Sequence, residues 1–182
     1  MTLPLKPQRG GFLRPFGCAQ FINQFLLGLG PYGSPKINQD VGAPQAEIFH
    51  HYKVALMKAT ALDKATRAEE KKARQEKRII NPDNIEKLAE RYLARLSYKA
   101  NGCRYHSFVV YFSNLQRLNW VEFTGREEPS GFQNNYSKGQ PKRYYRLTAT
   151  GKTASEADWS NPLGALYGGK LKDDKPASKL NH

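Results

Sequence analysis

The sequence predicts a mainly α-helical chain with a small β-hairpin, on the basis of three observations. The range 45–78 contains neither Gly nor Pro and consists largely of Ala, Lys, Glu and Arg, which are good helix formers. Two later segments repeat apolar residues at intervals of three and four, as amphipathic helices do. After these segments, two short stretches alternate apolar and polar residues, which is typical of half-buried strands.

The segment before the long helix, 1–44, is rich in Gly and Pro. These residues forbid long regular elements, and the sequence allows only a short helix from Cys18 to Leu27. The segment is nevertheless too apolar for a free disordered arm, because it carries several Phe, Leu and Ile residues. We interpret it as an irregular arm that packs either on the chain's own domain or on a partner.

The long helix, 45–80, starts at about Pro44 and changes character along its length. Its first half has an apolar stripe with 4-3-4-3 spacing, formed by Ile48, Tyr52, Ala55, Ala59 and Leu62. From Arg67 to Arg78 the residues are almost all charged, which indicates a solvent-exposed distal half. Three interpretations stay open: a homodimer through 45–65, a basic arm along a phosphate backbone, or a solvated helix whose first turns pack on the domain.

Two amphipathic helices follow. The first is capped by Asn81 or Asp83 and runs to about Tyr98. Its apolar positions are Ile85, Leu88, Ala89, Tyr92, Leu93 and Leu96. The second begins near Tyr105, with His106 or Ser107 close to its cap. It turns one continuous face toward a core, formed by Phe108, Phe112, Leu115 and Leu118.

The predicted hairpin comes directly after the last of these helices. Asn119 tolerates the left-handed conformation that leads out of a helix. The first strand covers Trp120 to Gly125 and the second covers Arg143 to Thr148, with a polar loop at 126–141 between them. A hairpin in this position would pack on the helices and complete their core.

One part of the chain, residues 84–157, resembles the winged helix-turn-helix regulators of the PadR and MarR type. The resemblance rests on Phe112-x-x-Leu115-x-x-Leu118-Asn119-Trp120-Val121, a basic loop, and Tyr145-Arg146-Leu147-Thr148-Ala149-Thr150-Gly151. It implies a winged helix-turn-helix domain at 81–157, behind the long helix and the irregular N-terminal arm. The residues after this domain, 158–182, are predicted to form a basic, flexible tail. The chain departs from the family pattern in Asn119, which replaces a Gly, in a long turn from Tyr98 to Arg104, and in a long wing loop.

The resemblance also implies which residues meet nucleic acid. The helix at 105–119 would enter the major groove and present the flank opposite its apolar face, while the wing would meet phosphates or the minor groove. The candidate residues are Arg104, Tyr105, His106, Ser107, Val110, Tyr111, Asn114 and Arg117 on the helix, and Lys138, Lys142 and Arg143 on the wing. Tyr111 fits a core position equally well, and Glu127 and Glu128 argue against contacts at the near end of the wing.

The charge of the chain independently favours a polyanionic partner. Lys and Arg number 29 against 16 Asp and Glu, which gives a net charge of +13. Such an excess attracts phosphates and gains free energy from counterion release. The alternative is that the charge serves solubility alone.

Catalytic and metal chemistry find no support in the sequence, so we expect no enzymatic activity, no cofactor and no metal. Cys18 and Cys103 lie far apart without metal-ligand spacing. The run Gly151-Lys152-Thr153 lacks the first Gly of a phosphate-binding loop, and His50-His51 has no further ligand at a suitable spacing. No apolar stretch is long enough to cross a bilayer and no signal-peptide layout is present, so we expect a cytoplasmic protein without membrane contacts.

These observations predict a DNA-binding protein, and specifically a transcriptional regulator that reads duplex DNA with the helix at 105–119 and a basic wing. Duplex DNA is the favoured partner and RNA is the alternative. A second hypothesis is a nucleic-acid-binding structural subunit of a larger nucleoprotein or replication assembly. The apolar arm and the basic tail favour that second hypothesis, because an arm of this kind could thread into neighbouring subunits.

Overall fold

The computed structural model describes residues 16–99, 104–129 and 141–168. These residues form a mainly helical fold with a small three-stranded antiparallel sheet. In chain order the elements are helix α1 (Cys18–Leu26), a 3₁₀ turn (Pro31–Gly33), strand β1 (Ala43–Pro44), helices α2 (Gln45–Gln75), α3 (Pro82–Arg95) and α4 (Tyr105–Arg117), strands β2 (Val121–Glu128) and β3 (Lys142–Leu147), and helices α5 (Ala149–Thr153), α6 (Glu156–Ser160) and α7 (Pro162–Tyr167). Within the described ranges, no helix combines the length and the apolar character needed to cross a bilayer.

Helix α1 belongs to the core of the chain itself. Its apolar residues are at most 1% exposed, namely Ala19, Phe21, Ile22, Phe25 and Leu26. The ring of Phe21 lies 5.4 Å from that of Tyr52 on α2, and the ring of Phe25 lies 5.4 Å from that of His51. The short helix expected at 18–27 is therefore present, and it packs on the chain's own domain.

The core combines residues of α1, the first turns of α2, α4, the sheet and α6. Ile48, Tyr52 and Ala55 from the predicted 4-3-4-3 stripe are buried in it, whereas Leu62 is 53% exposed. The first part of α2 thus packs on the domain, as one of the three interpretations of this helix requires.

The sheet has the strand order β1-β3-β2. The hairpin of β2 and β3 was expected, with Val121 opposite Leu147 and Phe123 opposite Tyr145. The two-residue strand β1 was not expected; it pairs Ala43 with Tyr145. Gly42 makes this approach feasible, because its φ is +72° and a Cβ there would lie 2.0 Å from the carbonyl oxygen of Tyr145.

Contacts around Thr148 connect the end of the hairpin to the exit of α4. The backbone of Asn119 has a φ of +58°, the left-handed conformation expected for this position. The N–H of Thr148 donates to the carbonyl of Trp120 at 3.0 Å, and its hydroxyl donates to the carbonyl of Asn119. The same hydroxyl accepts from the N–H of Gly151 at 3.0 Å. The run from Tyr145 to Gly151 therefore has a structural role, because it holds the end of the hairpin against the exit of α4.

The chain after α5 differs from the flexible tail predicted from residue 158. Trp159 on α6 is only 1% exposed, its ring lies 4.7 Å from that of Trp120, and its Nε1–H donates to the carbonyl of Gly151 at 3.0 Å. The difference arises because the large side chain of Trp159 fills the space beside Trp120. Its indole N–H, the only polar group of that side chain, finds a hydrogen-bond acceptor there. Residues 169–182 lie outside the described part of the chain.

Helices α2 and α3 form an antiparallel helical hairpin that extends from the domain. Small residues of α2, including Ala61, Ala65 and Ala73, are buried where α3 packs. The apolar face predicted for α3 points to α2, but none of its residues is fully buried, because α3 packs on this one helix over most of its length. A shallow groove lined by Leu62, Ala89 and Leu93 remains between the two helices.

Glu69 anchors the turn of this helical hairpin. Its side chain is 1% exposed and accepts hydrogen bonds from the Arg78 guanidinium, one of them at 3.2 Å, and from the N–H of Asn81 at 2.9 Å. Asn81 in turn caps α3, since its side chain accepts from the N–H of Asp83 at 3.0 Å. The hydrogen bonds from Arg78 and then Asn81 hold the pKa of the Glu69 carboxyl at about 2.

We expect Glu69→Gln to remove a pH-dependent part of the stability. A carboxyl whose pKa is lowered on folding stabilises the fold above its unfolded pKa, and this stabilisation is lost as the pH falls toward the folded value of about 2. The stability difference between the wild type and Glu69→Gln should therefore be constant near neutral pH and shrink between the ordinary carboxyl pKa of 4.5 and about 2. Urea unfolding followed by circular dichroism at a series of pH values measures this difference.

The matched control for this experiment is Glu70→Gln. Glu70 is the next residue on α2, is 39% exposed, and makes an exposed ion pair with Arg74 at 3.9 Å. Such a pair contributes little to stability. If Glu70→Gln showed the same loss of pH dependence as Glu69→Gln, the buried carboxylate would not be the origin of the effect.

Candidate nucleic-acid interface

Helix α4 is oriented by an apolar stripe that packs against two neighbouring elements. Phe108, Phe112 and Leu115 are 5%, 0% and 0% exposed, respectively. The ring of Phe108 lies 5.2 Å from that of Phe49 on α2, and the ring of Phe112 meets that of Tyr145 on β3 edge-on at 5.1 Å. Contacts on both sides leave α4 little freedom to rotate about its axis.

The opposite stripe of α4 is exposed to solvent. It consists of His106, Val110, Ser113 and Arg117 at 4-3-4 spacing, and Val110 is 51% exposed. Ser113 was not among the residues predicted from sequence, although its spacing from His106 and Val110 would have identified it. Its hydroxyl donates to the carbonyl of Val110 at 2.6 Å. The Arg117 guanidinium donates to the Tyr167 hydroxyl at 3.4 Å, so α7 borders the end of this stripe.

The other residues predicted on α4 lie beside the exposed stripe. Arg104 and Ser107 are exposed, and Asn114 is half-buried. Tyr105 is 45% exposed and its ring lies 5.3 Å from that of Phe49. Tyr111 packs against the core, and burial raises the pKa of its phenol to about 12. Tyr111 therefore holds the core position that the sequence left as its alternative.

Ion pairs within the hairpin engage Arg126, Arg143 and Arg146. Arg143 donates to Glu127 at 2.8 Å and Arg146 donates to Glu122 at 2.9 Å, in both cases across the two strands. Arg126 pairs with Glu128, and this contact with the guanidinium lowers the pKa of that carboxyl. The glutamates expected to disfavour contacts here thus neutralise the base of the wing.

Lys142 is the wing residue that keeps its charge available. It is exposed and faces Glu128 in the strand register, but within the described residues no carboxylate lies within ion-pair distance of it. Lys138 lies outside the described part of the chain, so the far end of the predicted wing has no structural description. Of the three predicted wing residues, Lys142 is thus best placed to meet a phosphate.

No protein-family model, curated protein or solved structure matches the chain. The resemblance to winged-helix regulators consequently rests on the residues of this chain alone. DNA binding and the expected lack of enzymatic activity stay predictions.

Proposed function

We propose that the chain is a DNA-binding protein with a winged helix-turn-helix fold, and that it is a transcriptional regulator. The observation that carries the proposal is the orientation of α4. Its apolar stripe faces the core, and the stripe of His106, Val110, Ser113 and Arg117 is exposed to solvent, with Arg117 bonded to Tyr167 at its end. A helix of 13 residues presented in this way fits the major groove of a DNA duplex.

The arrangement of the remaining elements supports the same proposal. A hairpin follows α4 directly, and the short strand between α1 and α2 pairs with the second strand of that hairpin. This order of elements is expected of a winged helix, with α1, α2 and α4 as its three helices. On this interpretation α3 and the distal part of α2 are an insertion that projects from the domain, and the winged-helix domain begins at α1 instead of at residue 81, the start that the resemblance implied.

The proposed complex assigns roles to the exposed residues Val110 and Arg104 and to the half-buried Asn114. Asn114 can bind an adenine edge and Val110 can contact a thymine methyl group. Arg104, at the N-terminus of the helix, meets a phosphate where the helix dipole also favours an anion. The phosphate contact would set the position of the helix on the duplex, and the base contacts would determine which DNA sequence is recognised.

The regulator is favoured over the assembly subunit by the packing of α1. The apolar arm and the basic tail were the two arguments for a subunit that threads into its neighbours; residues 1–15 of the arm and 169–182 of the tail lie outside the described part of the chain. Residues 16–27 instead fill the chain's own core. A homodimer remains part of the proposal, but Ile48, Tyr52 and Ala55 are already buried, so a second copy would have to use the groove around Leu62.

Selection from random duplex DNA with the full chain tests the proposed function, and we expect it to enrich a defined sequence. The variant Val110→Glu should bind that sequence at least about tenfold more weakly, because a carboxylate at the centre of the exposed stripe repels phosphates and base acceptors. The substitution is on an exposed helical site and should leave the fold intact. Fluorescence anisotropy with the enriched duplex measures the difference.

The control variant is Gln75→Glu, which makes the same change in charge at the exposed end of α2. Gln75 is 26 positions beyond Phe49, the α2 residue that contacts Tyr105 of α4, or about 39 Å along the helix. This separation exceeds the Debye length at moderate salt, so Gln75→Glu should leave affinity nearly unchanged. Equal effects of the two variants would show that α4 does not face the nucleic acid.

A further inference from the structure

Beyond Asp83 in its first turn, helix α3 carries its charges on two opposite flanks. Lys87, Arg91 and Arg95 recur every four residues, so they follow one flank at intervals of about 6 Å along the axis. Glu86 and Glu90 lie on the other flank, where they line the groove between α2 and α3. The helix therefore has one cationic edge, formed by Lys87, Arg91 and Arg95, which its own glutamates do not neutralise.

The cationic edge differs from three basic residues on the distal half of α2, each of which has an acidic partner. On α2, Arg67 pairs with Asp63 at 2.9 Å, Lys72 with Glu76 at 3.8 Å, and Arg74 with Glu70 at 3.9 Å. In the part of the chain that the structure describes, no carboxylate lies within ion-pair distance of the three side chains of the edge. Three cations on the distal half of α2 are thus neutralised by neighbouring carboxylates. Among the described residues, Lys64 and Lys71 of α2 have no ion pair, and neither do the three side chains of the cationic edge.

The cationic edge is held on a fixed support that leads toward α4. The hydrogen bonds of Glu69 fix the N-terminal end of α3. Just beyond its C-terminal end, the hydroxyl of Tyr98 lies 3.2 Å from Nδ1 of His50 on α2. The neighbouring residue Phe49 contacts Tyr105, the first residue of α4. One turn of α2 therefore holds both the end of the cationic edge and the start of the proposed recognition helix.

We propose that the cationic edge is a second phosphate-binding surface, which holds the sugar–phosphate backbone of the duplex that α4 reads. This inference rests on the proposed function. The edge extends about 12 Å from Lys87 to Arg95, equivalent to roughly three to four base pairs of duplex. Its contacts add affinity and salt dependence without adding sequence preference, because every duplex presents the same phosphates.

The test compares two triple variants that lose the same charge from neighbouring helices. The first is Lys87→Gln, Arg91→Gln and Arg95→Gln on the cationic edge, and the second is Arg67→Gln, Lys72→Gln and Arg74→Gln on α2. Duplex DNA of random sequence is titrated at several salt concentrations. We expect the edge variant to lower the slope of log K against log[salt] by about two to three units, and the α2 variant by less than about one. Between 50 and 200 mM salt, the edge variant should lose about 40-fold less affinity than the wild type.

The outcomes separate this inference from the proposed function. If both triple variants change the slope equally while Val110→Glu still abolishes recognition, the cationic edge is not a binding surface and the proposed function stands. If the wild type shows no salt-dependent binding to duplex DNA, both proposals fail. A loss confined to single-stranded RNA would assign the edge to another polyanion and overturn the inference for duplex DNA.

A charge-preserving variant guards against an effect on folding. Arg91→Lys together with Arg95→Lys keeps the cations on a helix of similar propensity, and it should keep most of the salt slope. If the triple variant unfolds, Arg91→Gln alone should still lower the slope by about one unit. A slope that fell equally in the lysine and the glutamine variants would contradict a role as phosphate contacts.

Discussion

Replacing Phe112 with alanine should lower the free energy of unfolding by about 3–5 kcal/mol. Phe112 is 0% exposed, and its ring contacts those of Phe108 at 5.8 Å and Tyr145 at 5.1 Å. The substitution removes these contacts and leaves a cavity between α4 and the sheet. Because small domains are stable by only about 5–15 kcal/mol, much of the population should unfold on mild heating. Urea and thermal unfolding followed by circular dichroism measure the loss.

Val110→Ala on the same helix is the control for Phe112→Ala. Val110 is two residues away and 51% exposed, so its truncation should change stability by no more than about 0.5 kcal/mol. The contrast between the two variants reports which flank of α4 faces the core. The reverse ranking would mean that α4 presents a different flank to solvent, and the proposed DNA contacts would lose their basis.

Trp159→Ala should have a loss of similar size, about 3–5 kcal/mol. Trp159 is 1% exposed and packs on Trp120 with ring centroids 4.7 Å apart. The truncation also leaves the carbonyl of Gly151 without the donor that now lies at 3.0 Å. Urea unfolding measures the loss of stability. The emission of Trp120, the remaining tryptophan, should shift to longer wavelength as its surroundings become wetter.

Trp159→Phe separates the packing of this side chain from its hydrogen bond. The phenyl ring keeps much of the contact with Trp120 but cannot donate to Gly151, so the loss should be about 1–3 kcal/mol and smaller than that of Trp159→Ala. An unchanged stability in Trp159→Ala would show that α6 does not contribute to the core. The part of the chain after Thr148 that contributes to the core would then end before residue 156.

The parts of the fold that depend on local patterns could be predicted from the sequence. The spacing of Phe108, Phe112 and Leu115 identified the buried side of α4, because neighbours on a helix surface are also near in sequence. Asn119 was predicted to turn the chain out of the helix for a similarly local reason. The exposed stripe of α4 followed in part from the same periodicity: Ser113 was omitted, and Tyr111 and Asn114, which were assigned to this face, are partly buried.

The parts that depend on distant contacts could not be predicted. Strand β1 has two residues, and it exists because Gly42 allows the backbone to reach Tyr145 across about a hundred positions. The burial of Trp159 depends on Trp120 in the same way. The cross-strand pairs of the wing require the strand register, so the engagement of Arg143 by Glu127 was not visible in the composition.

The glutamates of the hairpin have a consequence for how the wing meets a phosphate. Arg143 and Arg146 each have a glutamate carboxylate within 3 Å. A phosphate that bound to either arginine would have to replace this carboxylate, whereas at an unpaired arginine it would replace only a small ion from the solvent. The displaced carboxylate would stay close, because it belongs to the same hairpin, and it would repel the bound phosphate. On the proposed function, contacts of a duplex with these two arginines would therefore contribute little free energy at any single position.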